Sequence, residues 1–239
     1  TAASPLQRQD LRYRNLQSMS KVFLSNQTLQ VLKNYSTINS SILIREGNEL
    51  KTISVGENAI AQYTCEETFP QTFGIYDLNQ FLAGLSLFES PTLEFDNHEY
   101  VYIRGRGRSA KYYFSDPEIT LKSAPNKDVN FPGADIQFSL TQEDLSGLQK
   151  AANIYSLPDL VFRSQGGEIA LELRDNENDT SNGYSQTVVG DTTGDYELTI
   201  KVENIRLHPG DYSVKVSKHL ISEWKHQNLD LSYYIALEP

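Results

Sequence analysis

The sequence predicts an α+β protein made of two domains with one topology, and three observations carry that prediction. An order of helix, strand, glycine-centred turn and strand occurs twice: Ser25 answers to Thr141, Arg45 to Arg163 and Glu49 to Glu168, at offsets of 116, 118 and 119. Helical periodicity is confined to short segments, while the rest is rich in Val, Ile, Tyr, Phe and Thr between Gly, Asn and Asp turns. Residues 122–133, Lys-Ser-Ala-Pro-Asn-Lys-Asp-Val-Asn-Phe-Pro-Gly, have two prolines and no period, which is linker composition. The predicted division is therefore 19–121, a linker at 122–133, and 134–239.

Residues 1–18 differ in character from the remainder of the chain, with Arg8, Arg12 and Arg14 against Asp10 and no sustained period. They read as a disordered leader or cloning remnant ahead of a native start at Met19, with a basic arm as the alternative. The first helix is expected from Ser25 to Tyr35. Ile42–Glu49 and Leu50–Val55 come next as a strand pair around Gly47. The cleanest helix lies in Tyr76–Leu85, where Leu78, Phe81, Leu82 and Leu85 recur at helical spacing behind an Asp77 N-cap. In the second half a helix starts at Thr141, whose spacing to Asp144 suits a capping box. Strands at Leu160 and Ile169 flank Gly166-Gly167, and a fourth short helix is expected over Lys201–Leu207. His208-Pro-Gly-Asp closes it, and the strand Tyr212–Val216 comes after.

Bulk properties exclude several classes. The chain has 239 residues, 38% hydrophobic and 22% charged, so it folds. No apolar run of about 18 residues occurs, which argues against a membrane-spanning helix. Cys65 is the only cysteine, so neither an intrachain disulfide nor a Cys-rich metal site is available. The three Asn-X-Ser/Thr sequons, at Asn26, Asn39 and Asn178, read as chance. A net charge of −10 opposes tight binding to phosphates. A protein held on DNA by topology escapes that objection, because it needs few cations toward the duplex.

Two helical faces carry cations without acids. On a wheel at 100° per residue, Leu145, Leu148, Ala151, Ala152 and Tyr155 form one stripe and Lys150 points away. The first helix buries Leu29, Leu32 and Tyr35 and turns Gln27, Gln30, Lys33 and Asn34 outward. An exposed lysine opposite an apolar stripe is also ordinary amphipathic design. The helix at Leu78 offers no cation, and Arg206 on the fourth turns partly away from Val202 and Ile205.

Five ordered stretches, Leu24–Ile42, Ile75-Tyr-Asp-Leu-Asn-Gln-Phe-Leu, Ala124-Pro-Asn-Lys, Pro209-Gly-Asp-Tyr and Tyr233-Tyr-Ile-Ala-Leu-Glu, resemble the corresponding parts of T-even-type phage sliding clamps. The terminal Tyr-Tyr-Ile-Ala is also similar to the last strand of proliferating cell nuclear antigen. The resemblance implies the DNA-clamp fold, with helices on an inner face, sheets outside, and head-to-tail closure into a homotrimeric ring around duplex DNA. It places Lys33, Lys150 and Arg206 toward the phosphates, in contacts blind to base sequence. It further implies a pocket for partner peptides beside the linker and last strand, at Val129, Phe131, Tyr233, Tyr234, Ile235 and Leu237. Alternation of Tyr233 and Ile235 into the core is the competing reading. Implied partners are the replicative DNA polymerase, an ATP-driven clamp loader and phage transcription factors, in the cytoplasm of a bacterial host, with no membrane and no cofactor. The uncharged second helix departs from clamps that carry lysines there.

No catalytic arrangement is legible. His98, His208, His219 and His226 have no metal-ligand spacing, and neither a nucleophile elbow nor a phosphate loop occurs. Arg104-Gly-Arg-Gly-Arg with Lys111-Tyr-Tyr-Phe fits either a basic, aromatic nucleic-acid patch or a solvated hairpin. The rival functions are a β-rich virion subunit and a β-rich hydrolase with paired carboxylates.

Overall fold

A computed structural model describes residues 19–239, and the leader assigned to residues 1–18 lies outside the described residues. The elements run β1 (Ser20–Phe23), α1 (Asn26–Tyr35), β2 (Ile42–Ile44), β3 (Gly47–Ile53), β4 (Ala59–Phe69), β5 (Phe73–Ile75), α2 (Leu78–Leu85), β6 (Thr92–Phe95), β7 (Tyr100–Gly105) and β8 (Arg108–Tyr113). After the short α3 (Pro117–Thr120) come β9 (Ile136–Leu140), α4 (Gln142–Tyr155), β10 (Asp159–Gln165), β11 (Glu168–Arg174), β12 (Tyr184–Val188), β13 (Gly190–Thr192) and β14 (Tyr196–Lys201). A 3-10 turn at Val202–Asn204 precedes β15 (Tyr212–Ser217), β16 (Ile221–His226) and β17 (Leu231–Ala236). Two compact units result: residues 19–36, 40–50 and 65–122 form unit 1, and 37–39, 51–64 and 123–239 form unit 2.

Unit 1 contains an antiparallel sheet ordered β1-β6-β7-β8 and the pair β2-β5. Alternation buries Val22, Leu93, Phe95, Val101 and Ile103 on one side of the sheet. An aromatic knot joins the layers: the Phe73 ring centre lies 5.1 Å from that of Phe95 and 4.9 Å from that of Phe114. From α1 come Val31, Leu32 and Tyr35, and from α2 Leu78, Phe81 and Leu85, all buried. Each such side chain contributes about 1.5–3 kcal/mol on burial.

Unit 2 contains a sheet ordered β12-β11-β10-β14 and a second ordered β13-β9-β15-β16-β17-β4-β3. In the second, Ala59–Tyr63 of β4 pair with Leu231–Ile235 of β17. Its core centres on Trp224, Phe162 and Phe138, with Phe162 6.1 Å from Trp224 and 6.0 Å from Phe138. The turn at 208–211 is shaped by Gly210, at φ 146°, where a Cβ would stand 2.0 Å from Nε2 of buried His226. Only glycine fits there.

Three sequence expectations need correction. The strand pair expected around Gly47 exists only in the second half, where β10 and β11 pair from Asp159↔Arg174 to Gln165↔Glu168 around Gly166-Gly167. In the first half β2 pairs with β5, and β3 lies beside β4. The chain bends at Glu46, whose N–H donates to Thr72 Oγ1 at 3.1 Å, and passes through Gly47 at φ 114° into β3 without closing a hairpin. It reverses instead at Ser54–Asn58, where the Ser54 N–H donates to Ala59 O and the Glu57 N–H to Ser54 O. The expected helix over Lys201–Leu207 is a single 3-10 turn. Lys201 is held in β14 opposite Asp159, and its Nζ donates to the buried Asp159 Oδ1 at 2.6 Å. Too few residues remain before Pro209 for a regular helix. Finally Tyr155, placed on the buried stripe of α4, is 45% exposed. It is the last helical residue, and Ser156 turns left-handed at φ 52°.

Candidate functional site

The two helices singled out by the sequence expose Lys33 and Lys150 as expected, while Leu29, expected in the buried stripe, and Gln27 and Asn34, expected outward, are all half-buried. In α1 Thr28, Val31, Leu32 and Tyr35 are buried, while Gln30 and Lys33 are exposed. No acidic residue occurs in Asn26–Tyr35, so the local field at Lys33 is not cancelled by its own helix. Lys33 also lies in the last turn, where the helix dipole favours a cation. It lines a cleft of about 670 Å³ in unit 1 with Leu29, Gln30, Asn79 and Leu82. In α4 Leu145, Leu148, Ala151 and Ala152 are buried and Lys150 is exposed. Glu143 and Asp144 sit in the first turn, favourable to the dipole, and the remainder of the helix carries no acid.

The start of each helix is fixed differently. At α1 the Ser25 Oγ accepts from the Thr28 N–H at 3.1 Å. Glu67, on β4 and 7% exposed, adds a clamp: Oε1 accepts from the Ser25 N–H at 2.5 Å and Oε2 from the Thr28 hydroxyl at 2.6 Å. Burial acts to raise the Glu67 pKa, but these donors outweigh it and hold the carboxyl below its ordinary value. At α4 the capping box is closed: Thr141 Oγ1 accepts from the Asp144 N–H and Asp144 Oδ2 from the Thr141 N–H, each at 3.1 Å. Gln186 on β12 donates to Asp144 Oδ1 at 2.7 Å. The Thr141 N–H is the main reason why Asp144 titrates below its ordinary value.

Arg206 sits beyond the 3-10 turn, exposed, and its guanidinium donates to the carbonyls of Glu203 and Thr37. It therefore extends from a turn, not from a helical face.

Of the six residues assigned to a peptide pocket, Tyr233, Ile235 and Leu237 are at most 6% exposed, and Val129, Phe131 and Tyr234 are half-buried. The Tyr233 hydroxyl accepts from the His208 N–H at 3.0 Å. The structure brings the 122–133 segment to this place through Asp128, whose Oδ1 lies 3.5 Å from Nζ of buried Lys51 on β3. Burial first, then Glu223 and Asp128, push the Tyr234 hydroxyl up to about 12. Sequence reasoning missed both Glu67 and Lys51, because a buried charged side chain in a strand has no local signature. It also noticed Arg104–Arg108 and Lys111 without Tyr100 and Tyr102, which share one face of β7 with Arg104 and meet Lys111 through strand pairing.

Among the described residues no helix is long and apolar enough to cross a membrane. A family profile described as DNA polymerase processivity factor matches residues 25–97. A sliding clamp of Vibrio phage KVP40 is 31% identical over 219 residues, covering 90% of this chain and 98% of that protein. The sliding clamp of Enterobacteria phage T4 is 27% identical over 221 residues, covering 90% and 96%. Among solved structures, the proliferating cell nuclear antigen of Thermococcus kodakaraensis superposes with a TM-score of 0.69 at 14% identity, over 92% of this chain and all of that one. The A. fulgidus PCNA, solved with the C-terminal region of FEN-1 bound to it, gives 0.67 at 12% identity, over 92% and 98%. The solved structures show the DNA-clamp fold, and the sequence relatives show the family: the chain belongs to the sliding clamps of T4-type phages, non-enzymatic processivity factors of DNA polymerase.

Proposed function

We propose that three copies close head to tail into a ring around duplex DNA and tether the replicative polymerase, after placement by an ATP-driven loader in the cytoplasm of the bacterial host. On this reading 19–121 and 134–239 are two clamp domains, 122–133 joins them, and six similar domains complete the ring. Lys33, Lys150 and Arg206 supply weak, salt-sensitive phosphate contacts that let the ring slide. The observation that carries the reading is the pair of exposed lysines on acid-free stretches of α1 and α4, at matching places in the repeat. Strands β8 and β12 each end a sheet, which supports the joining of copies.

A partner's peptide tail would dock beside Val129, Phe131 and Tyr234, with Tyr233, Ile235 and Leu237 as the floor beneath. Asp128 and Lys51 fix the segment that forms the rim. The A. fulgidus PCNA holds a C-terminal region of FEN-1, which supports tail docking as the mode for polymerase, loader and phage transcription factors alike.

The test is the pair of variants Lys33→Glu and Lys150→Glu, made together. The expected outcome is an unchanged trimer of about 81 kDa, three times 27.0 kDa, and a shortening of polymerase product length at moderate salt. Full-length products at that salt would remove the assigned role of the two lysines.

A further inference from the structure

Strand alternation gives the β1-β6-β7-β8 sheet of unit 1 one apolar and one polar face. Cross-strand pairs Lys21↔Glu94, Glu94↔Tyr102, Tyr102↔Lys111 and Tyr100↔Tyr113 share the polar face. There Lys111 Nζ stands 3.8 Å from the centre of the Tyr100 ring and 4.9 Å from that of Tyr113, and the Arg104 guanidinium stands 4.5 Å from that of Tyr102. Tyr100 meets Tyr102 and Tyr113 edge-on, at 5.3 and 5.5 Å.

Toward the β7–β8 turn this face opens into a cleft of about 340 Å³ that includes Thr92, Glu94, Arg104, Arg106, Arg108 and Ser109. The turn is tight, with Arg106 at φ 44° and Gly107 at φ 73°, which brings Arg106 and Arg108 to one end of the hairpin. Internal carboxylates satisfy part of the set: Glu94 takes Arg104 at 2.5 Å and Lys21 at 3.5 Å, and Glu89 takes Arg106 at 2.6 Å. In a chain of net charge −10 this face concentrates cations and tyrosines, and the pairing of Lys21 and Arg104 with buried Glu94 leaves Arg108 and Lys111 without a carboxylate among the described residues.

We propose that the polar face of β7 and β8 docks an extended acidic peptide of a partner protein, with carboxylates set on Lys111 and in the arginine cleft. Charge complementarity draws such a segment. An extended chain also presents every second side chain to one side at about 6.8 Å, the repeat at which Tyr100, Tyr102 and Arg104 stand on β7. A nucleic-acid strand fits less well. Its bases need open ring faces to stack on, and here cations already cover one face of each tyrosine.

The test uses the full chain and a fluorescein-labelled peptide of alternating Glu and Thr, read by anisotropy at low and moderate salt, with oligothymidylate and a Lys-Thr peptide as comparisons. The expected result is saturable binding of the acidic peptide alone, about tenfold weaker with Lys111→Glu or Arg108→Glu, retained with Lys111→Arg, and unchanged with Lys150→Glu. Absence of peptide binding, equal binding by the charge-reversed variants, or tighter binding of oligothymidylate at this face overturns it. Mass in solution and retention on circular DNA, measured on the same samples, report the clamp reading separately, so failure of either is distinguishable from failure of the other.

Discussion

Helices α1 and α4 hold matching places in the repeat, yet groups of different origin secure their first turns. At α4 the clamp is local, a Thr141–Asp144 box closed within four residues, with Gln186 as an outer brace. At α1 the corresponding carboxylate comes from β4, 42 positions beyond Ser25, and is buried. The two helices therefore begin at matching offsets and are held in different ways. A local box can be lost with little consequence to the sheet, whereas a buried carboxylate is bound into the strand that supplies it.

The largest effect that would break this contrast is Glu67→Ala. It strands the Ser25 N–H and Thr28 hydroxyl in a buried place, so a loss of about 3 kcal/mol in urea unfolding is expected. A loss near that of an exposed cap would show that the clamp is incidental.

Acid titration sharpens the comparison next. Because the folded Glu67 carboxyl titrates below its ordinary value of 4.5, its contribution is complete above that value and is lost as pH falls through the folded one. Thermal denaturation of Glu67→Gln should therefore depend less on pH below 4.5 than the parent chain, with Asp135, Asp144 and Glu172, which also titrate below their ordinary values, providing the remaining slope. An unchanged profile would contradict the sign.

Thr141→Ala should rank third, at about 1 kcal/mol, the usual worth of an N-cap. Smallest is Gln186→Ala, about 0.5 kcal/mol, since Asp144 keeps its backbone donor. If Gln186→Ala equals Thr141→Ala, the α4 start is as non-local as that of α1, and the contrast fails.

Legibility in the residues divides the same way, between local and distant causes. Asp77 with Leu78, Phe81 and Leu85, the Thr141–Asp144 box, and Gly166-Gly167 between two strands are short-range signals, and each names its own structure. The β2-β5 pairing is not of that kind. The glycine at position 47 suggests a hairpin, and the chain does bend there, but the Glu46 N–H goes to Thr72 and β2 takes β5 as its partner, so the bend separates two sheets instead of pairing two strands. Lys201 likewise belongs to β14 through Asp159, which no helical window contains. At the site, Lys33 and Lys150 were readable from the wheel, since exposure opposite an apolar stripe is a periodic property. The union of Tyr100, Tyr102, Arg104 and Lys111 needed strand register, and the Lys51–Asp128 contact needed the path of the 122–133 segment.

The central claim concerns enclosure, and one measurement addresses it directly. With its loader and ATP, the labelled protein is assembled on nicked circular DNA, separated from free protein, and the circle is then cut at one site. A ring that is linked to DNA rather than stuck to it is retained on the closed circle at moderate salt and lost rapidly once ends exist, and that is the predicted result. Equal retention on the cut and uncut molecules, or loss from both at the same rate, would contradict it.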